Sequence, residues 1–233
     1  MRNRLPTALL LLPLLLVLHP GAAEAQTITS PYAFIDQPRE FGVFAGLIQE
    51  NRGALELGPG DGIAMGARFA YNLSGPLGME VSGFLFPTDR KIRVPGEEEG
   101  IDDLGMADAF VGAIEGRLRF TLTGDRTWHG LAPFLTAGGG VVGDFRGRDE
   151  LEEEIPESVR FSFGPSFLGT LGAGTRWIPT ESISIRAELS VHYWKLGTPE
   201  AFMQAGSEQI GQTVPDQEWA AVPALSLGLS LRR

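Results

Sequence analysis

The alternation of side chains in residues 183–194, which read ISIRAELSVHYW, constrains the fold more than any other feature of the chain. Successive side chains of a β-strand point to opposite faces, so a strand here has one apolar face and one charged face. About eight segments are of this kind: 41–48, 63–73, 78–86, 108–122, 132–145, 160–178, 183–196 and 220–232. The pattern predicts an all-β fold, a single antiparallel up-and-down barrel of eight strands.

The N-terminus has the features of an export signal. Arg2 and Arg4 precede an apolar run at 8–18, and an Ala-Glu-Ala cleavage sequence ends at Ala25. The apolar run of 11 residues is shorter than the roughly 20 residues of a membrane-spanning helix. We therefore expect a cleaved signal at 1–25, a polar periplasmic lead-in at 26–40 and a barrel at 41–233.

Composition narrows the classes of function. After the signal, no apolar segment is long enough for a membrane helix, so the exported chain is either soluble or crosses a membrane as a closed barrel. The chain has no cysteine, and its formal net charge of −10 argues against nucleic acid as a partner. It has no EF-hand spacing and no nucleotide-binding motif, so we expect neither a metal nor another cofactor.

The connections between the segments alternate in length. Tight turns at 74–77 and 179–182 and a shorter connection at 123–131 alternate with long connections, which lie at 49–62, 87–107, 146–159 and 197–219. Bacterial outer-membrane barrels have short periplasmic turns and longer external loops. The alternation therefore predicts a bacterial outer-membrane protein in which the long connections face outward.

Two long connections carry acidic runs, Glu97-Glu98-Glu99 with Asp102-Asp103, and Asp149-Glu150 with Glu152-Glu153-Glu154. Such runs are typical of solvated loops. A divalent cation that bridges these carboxylates to anionic lipid headgroups is the alternative interpretation.

Aromatic residues mark both ends of the predicted strands. Trp128 and Trp177 lie near short connections, whereas Trp194 and Trp219 lie near long ones, and Tyr193 precedes Trp194. Outer-membrane barrels carry aromatic girdles at both membrane interfaces. We expect these five side chains to form the girdles.

If the apolar face of each strand points to lipid, a charged set points inward. It comprises Arg68, Glu80, Glu115, Arg117, Arg119, Arg176, Arg186 and Glu188. Buried charges must pair, and an eight-stranded barrel has an interior just wide enough for side chains. These residues therefore predict a lumen filled by a charge network. The alternative is a narrow gated ion channel in which the same charges exchange partners.

Two further functions stay open as alternatives. Ser190, His192 and Glu188 share one strand face and are the best candidates for a lipid-modifying enzyme. Alternate positions on a strand lie roughly 6–7 Å apart, which is too far for a direct Ser–His hydrogen bond, so no catalytic residue is assigned. A soluble lipocalin-like barrel that binds a ligand would need an apolar interior, which conflicts with the predicted faces.

Two stretches resemble a known family. PFLTAGGGVV at 133–142 and LGAGTRWIPTESISIRAE at 171–188 are similar to the outer-membrane β-barrel domain family, the small OmpA/OmpX-like group. The resemblance covers 41–233 and specifies architecture better than activity. It implies an integral outer-membrane protein of a family whose members often have no assigned activity, with outer-membrane lipid as the surroundings and the outer-membrane assembly machinery as a partner during biogenesis. Since no catalytic group stands out in the sequence, we expect a structural or surface-interaction role, no enzymatic activity, and a monomer.

Overall fold

The computed structural model describes residues 30–96, 100–147, 149–203 and 214–233. Within these residues the strands are β1 (Tyr32–Phe34), β2 (Arg39–Ile48), β3 (Gly62–Ser74), β4 (Leu77–Pro95), β5 (Ile101–Thr121), β6 (Arg126–Trp128), β7 (Leu131–Asp144), β8 (Ser166–Thr180), β9 (Ile183–Gly197) and β10 (Gln217–Arg232). One short helix, α1 (Glu150–Glu154), and a 3₁₀ turn (Glu157–Val159) lie between β7 and β8.

Eight of the strands close into a ring. The order is β7-β5-β4-β3-β2-β10-β9-β8, and the pairing of β8 with β7 completes the circle. All of these pairs are antiparallel, and the longest registers include Gln217↔Gly197 to Leu231↔Ile183 between β10 and β9. The predicted eight-stranded up-and-down barrel is confirmed.

The outer wall is apolar. Met65, Leu189 and Leu227 are 64%, 64% and 62% exposed, and they are three of many large apolar side chains on this face. The polar members of the alternation, including Arg119 and Glu188, are buried inside. A soluble barrel would have the opposite arrangement, since burial of apolar surface is what stabilises a fold in water.

The two strands β4 and β5 are longer than the sequence pattern predicts. Residues 87–107, expected to be a loop, continue the β4–β5 hairpin as far as Pro95↔Ile101. Ile92 and Ala107, on the inner side of this extension, are buried. The interpretation as a loop was wrong because the alternation persists through a segment rich in charged residues.

Part of the predicted lead-in at 26–40 forms β-strand. β1 pairs with β6 in the register Tyr32↔Trp128, and β2 begins at Arg39, two residues before the predicted barrel boundary. The sixth predicted strand, 160–178, begins later than expected, because β8 starts at Ser166. The structure does not describe residues 1–29, so the signal and its cleavage near Ala25 stay predictions.

Two glycines allow β5 and β7 to approach closely. A Cβ at Gly140 would overlap the carbonyl oxygen of Ile114, and one at Gly138 would overlap the carbonyl oxygen of Gly116. A side chain at either position would push the two strands apart.

Within the described residues, no helix is long and apolar enough to cross a membrane.

Candidate functional site: the barrel interior

The part of the interior nearer the short turns is centred on Glu80. Its carboxylate lies 2.5 Å from Arg119 Nη1, 2.6 Å from Arg186 Nη1 and 3.1 Å from Arg117 Nη2. Arg68 Nε lies at 3.7 Å. Four guanidinium groups from three other strands therefore surround one buried carboxylate.

Glu188 is the second acidic centre. It accepts hydrogen bonds from Arg117 Nη1 at 3.0 Å and from Arg186 Nε at 3.0 Å. Arg68 Nη2 donates at 3.3 Å, and the Thr136 hydroxyl donates at 3.1 Å. Since Glu80 and Glu188 share three arginines, the two centres form one unit.

Glu115 extends this unit. It accepts hydrogen bonds from the hydroxyl of Ser82 at 2.9 Å and from that of Thr170 at 2.6 Å, and it lies 3.5 Å from Arg117 Nε. We call Arg68, Glu80, Glu115, Arg117, Arg119, Arg186 and Glu188 the charge network. These seven of the eight charged residues singled out in the sequence thus lie in direct contact with one another.

The eighth residue, Arg176, lies nearer the turns with a different partner. Its Nη1 donates to Glu40 at 3.1 Å, and Ser184 donates to the same carboxylate at 2.8 Å. Glu40 was missed because it was assigned to the lead-in. Its position one residue before Phe41, in phase with the alternation of β2, could have revealed it.

The loop end of the interior is apolar. Leu55 and Leu57 from the β2–β3 connection and Phe161 and Phe163 from the β7–β8 connection are buried there, against barrel residues that include Phe86. We call this group, with Phe202 and Val214, the apolar cap. The cap was not predicted from the sequence, although the Leu-x-Leu and Phe-x-Phe patterns in otherwise polar loops indicate buried positions.

Trp194 belongs to this interior, and its assignment to the girdle was wrong. It is 1% exposed, and its ring lies 5.7 Å from that of Phe163 and 6.5 Å from that of His192. The physical reason is the period of the strand, which places Trp194 on the same face as His192. Trp128, Trp177 and Trp219 lie on the outer face and are 50%, 48% and 54% exposed. Tyr193 also lies on the outer face, where its side chain is half-buried.

Ser190 and His192 lie closer together than expected. Ser190 Oγ is 3.4 Å from His192 Nε2. The expectation that the two residues are too far apart for a direct hydrogen bond is therefore wrong, because side-chain rotation brings the two polar atoms closer than the strand positions themselves. His192 Nδ1 lies 3.1 Å from Thr170 Oγ1, which donates to Glu115. Ser190, His192 and Glu115 line a cavity of about 30 Å³, which is large enough for a water molecule but not for an acyl chain.

One acidic loop residue is not solvated. Glu152 of α1 is 3% exposed, and Arg90 donates to both of its oxygens, at 2.5 Å to Oε2. Burial alone would raise the pKa of Glu152, but hydrogen bonds from Arg90 and from the Asp149 backbone hold it below its ordinary value. The expectation of a solvated loop is therefore wrong for Glu152, while Glu97, Glu98 and Glu99 lie outside the described residues.

The fold is similar to that of two solved outer-membrane proteins. Neisserial surface protein A is 12% identical with a TM-score of 0.51, and the match covers 88% of this chain and 98% of that one. OprG from Pseudomonas aeruginosa is 11% identical with a TM-score of 0.51, over 84% of this chain and 97% of that one. No protein-family model and no curated protein matches the chain. The chain therefore has the fold of the small outer-membrane β-barrels, which by itself does not specify a function.

Proposed function

We propose that this protein is an integral outer-membrane barrel that acts as a closed scaffold and displays its long loops at the cell surface. The observation that carries the proposal is the inverted arrangement of the wall. Large apolar side chains such as Met65 and Leu227 lie outside, while Glu80 and Arg186 are buried inside. A chain with this arrangement is stable where lipid surrounds it.

The filling of the interior supports a scaffold over a channel. An ion that crosses the barrel would have to displace the charge network and then the apolar cap. Glu80 contacts four arginines, so opening a path there breaks several buried ion pairs together. Breaking a single buried pair costs roughly 3–5 kcal/mol.

A row of side chains on the outer wall supports the position in the bilayer. The registers Tyr32↔Trp128, Trp128↔Leu131 and Leu131↔Trp177 place these residues side by side across β1, β6, β7 and β8, near the short turns. Trp219 lies toward the opposite end, beside the long connection. Aromatic side chains favour the headgroup level of a membrane, so the two positions fit the two interfaces.

The remaining expectations belong to the same proposal. The signal at 1–25 directs export with cleavage near Ala25, the assembly machinery inserts the barrel, and the inserted barrel is a non-enzymatic monomer surrounded by outer-membrane lipid. The apolar wall is the surface that insertion covers, and each strand of the ring already has two neighbours, so the ring itself offers no edge to a second chain.

Labelling from outside the cell tests the display of the loops. The chain has no cysteine, so a single introduced thiol reports one position. Glu153→Cys on α1 and Glu181→Cys in a short turn are a matched pair, since both residues are exposed. A membrane-impermeant maleimide should label Glu153→Cys on intact cells and Glu181→Cys only after the outer membrane is opened. Equal labelling of the two variants on intact cells would refute the orientation.

Conductance across a planar bilayer tests the closed interior. The folded barrel should insert and give no ion steps, whereas steady unitary currents from the wild-type barrel would replace the scaffold with the channel. Arg117→Ala is the control variant for this recording, because it removes a contact from each of the three acids of the charge network.

A further inference from the structure

The outer wall has a polar gap between β8 and β9 at their loop end. The last pair of this ladder is Leu168↔Trp194. Beyond this pair, the hydroxyl of Ser166 replaces the backbone partner of Lys195. It donates to the Lys195 carbonyl at 3.1 Å and accepts from the Lys195 N–H at 3.3 Å. The separation of the strands leaves a groove of about 480 Å³, lined by Ser162, Gly164, Pro165, Phe167, Lys195 and Gln217.

Lys195 is the cation of this groove. Its Nζ lies 5.2 Å from the centre of the Trp219 ring, directly across the β9–β10 pairing. Among the described residues, no carboxylate lies within 4 Å of Lys195, whereas Lys91 bonds Glu56. These are the two lysines of the chain, and within the residues that the structure describes only Lys91 is paired with an acid.

Two aromatic side chains flank the groove on its lipid-facing side. Phe167 and Trp219 meet edge to face with centroids 6.2 Å apart, and they are 58% and 54% exposed. Such side chains lie at the boundary between acyl chains and headgroups. The Lys195 ammonium is therefore held at the level of the headgroups, beside the polar Ser162 and Gln217.

We propose that this groove binds the anionic phosphate of a lipid headgroup in the loop-side leaflet. Lys195 makes charge-assisted hydrogen bonds to the phosphate, Ser162 and Gln217 supply neutral donors, and Phe167 with Trp219 contacts the upper acyl chain. A free phosphate offers the same charge, but the exposed apolar rings of Phe167 and Trp219 beside the groove favour a lipid. The inference deepens the proposed function, since it requires the barrel to lie in a membrane.

Native mass spectrometry of the folded barrel in detergent, with equal amounts of phosphatidic acid and phosphatidylcholine, tests the site. The wild-type barrel should retain phosphatidic acid selectively. Lys195→Gln should lower its retention about tenfold, as expected for the loss of one charge-assisted contact. Lys195→Arg should keep the selectivity because it restores the charge, and Lys91→Gln should keep it because Lys91 lies elsewhere.

Equal retention of phosphatidic acid by wild type and Lys195→Gln would overturn the proposal. Displacement of phosphatidic acid by inorganic phosphate at the same concentration would also overturn it, because the site would then belong to free phosphate. A gel shift between unboiled and boiled samples verifies that each variant is folded. A folded barrel that resides in the outer membrane but shows no lipid selectivity would remove this site and leave the proposed function intact.

Discussion

Glu80 on β4 and Arg186 on β9 join opposite walls of the barrel, with 2.6 Å between Oε1 and Nη1. The two strands lie four positions apart in the ring of eight, so this ion pair crosses the full width of the interior. Arg186 also bonds Glu188 on its own strand and stacks over the Phe134 ring at 4.0 Å. A barrel held across its diameter in this way resists both flattening and opening.

Replacing the central acid should destabilise the barrel strongly. Glu80→Gln keeps the shape but removes the charge that four buried arginines share. We expect a loss of about 3–5 kcal/mol in the free energy of unfolding, measured by urea titration in detergent micelles. Glu181→Gln in an exposed turn is the control and should change little. Equal stability of the two variants would mean that the network does not hold the walls together.

A methyl group at Gly140 should separate β5 from β7. The Cβ of Gly140→Ala meets backbone atoms of Ile114 and Glu115, which are held in the ladders that β5 forms with β4 and β7. Overpacking of this kind costs about 1–3 kcal/mol, visible as a lower temperature of the gel shift. Gly116→Ala is the matched control on the facing strand, since a Cβ there meets nothing within 4 Å. A Gly140→Ala barrel as stable as Gly116→Ala would contradict the close approach.

Removing one aromatic side chain from the apolar loop end of the interior should lower stability without opening a pore. Phe86→Ala deletes a fully buried side chain and should lower the free energy of unfolding by about 3–5 kcal/mol. Bilayer recordings of the same variant should still show no ion steps, because the charge network, nearer the short turns, still fills the interior beyond the space that Phe86 leaves. Leu85→Ala, which points to lipid, should cost less, since lipid can fill the space it leaves. Ion steps from Phe86→Ala would show that the apolar loop end of the interior, and not the charge network, closes the barrel.

The Arg90–Glu152 contact should make loop stability depend on pH. A carboxyl whose pKa is lower in the folded state adds stability above its unfolded pKa, about 4.3 for a glutamate, and loses it as pH falls through the folded pKa. The pKa of Glu152 is lowered in this sense. Wild type should therefore be more stable than Glu152→Gln at neutral pH, and the difference should vanish as acid protonates Glu152.

Thermal unfolding of both proteins from neutral to acidic pH measures this difference, and the exposed Glu153→Gln serves as the control. A difference between wild type and Glu152→Gln that stays constant over the whole range would show that the contact carries no charge.

The strands and their faces were predictable because the period of a β-strand fixes which side chains share a face. The same rule, applied strictly, would have placed Trp194 inside with His192 instead of in the girdle. The apolar cap was not predictable in the same way. Leu57 and Phe163 lie in irregular connections with no period, and only the folding of these loops over the barrel end buries them.

The contacts between individual interior residues could not be predicted from the sequence either. The alternation identifies Glu80 and Arg186 as inward residues, but their contact depends on strand stagger, which pattern alone does not define. Glu152 shows the same limit in a loop. An acidic run is typical of solvated surface, and only the inner side of the β4 extension, which presents Arg90, gives Glu152 a partner.

Separation of inner and outer membranes, followed by a denaturing gel of unboiled and boiled samples, tests the central claim most directly. The account predicts that the mature chain fractionates with the outer membrane and migrates differently before and after boiling, because the closed barrel resists detergent until heated. A soluble periplasmic product with identical migration in both samples would contradict the membrane barrel and restore the soluble ligand-binding alternative.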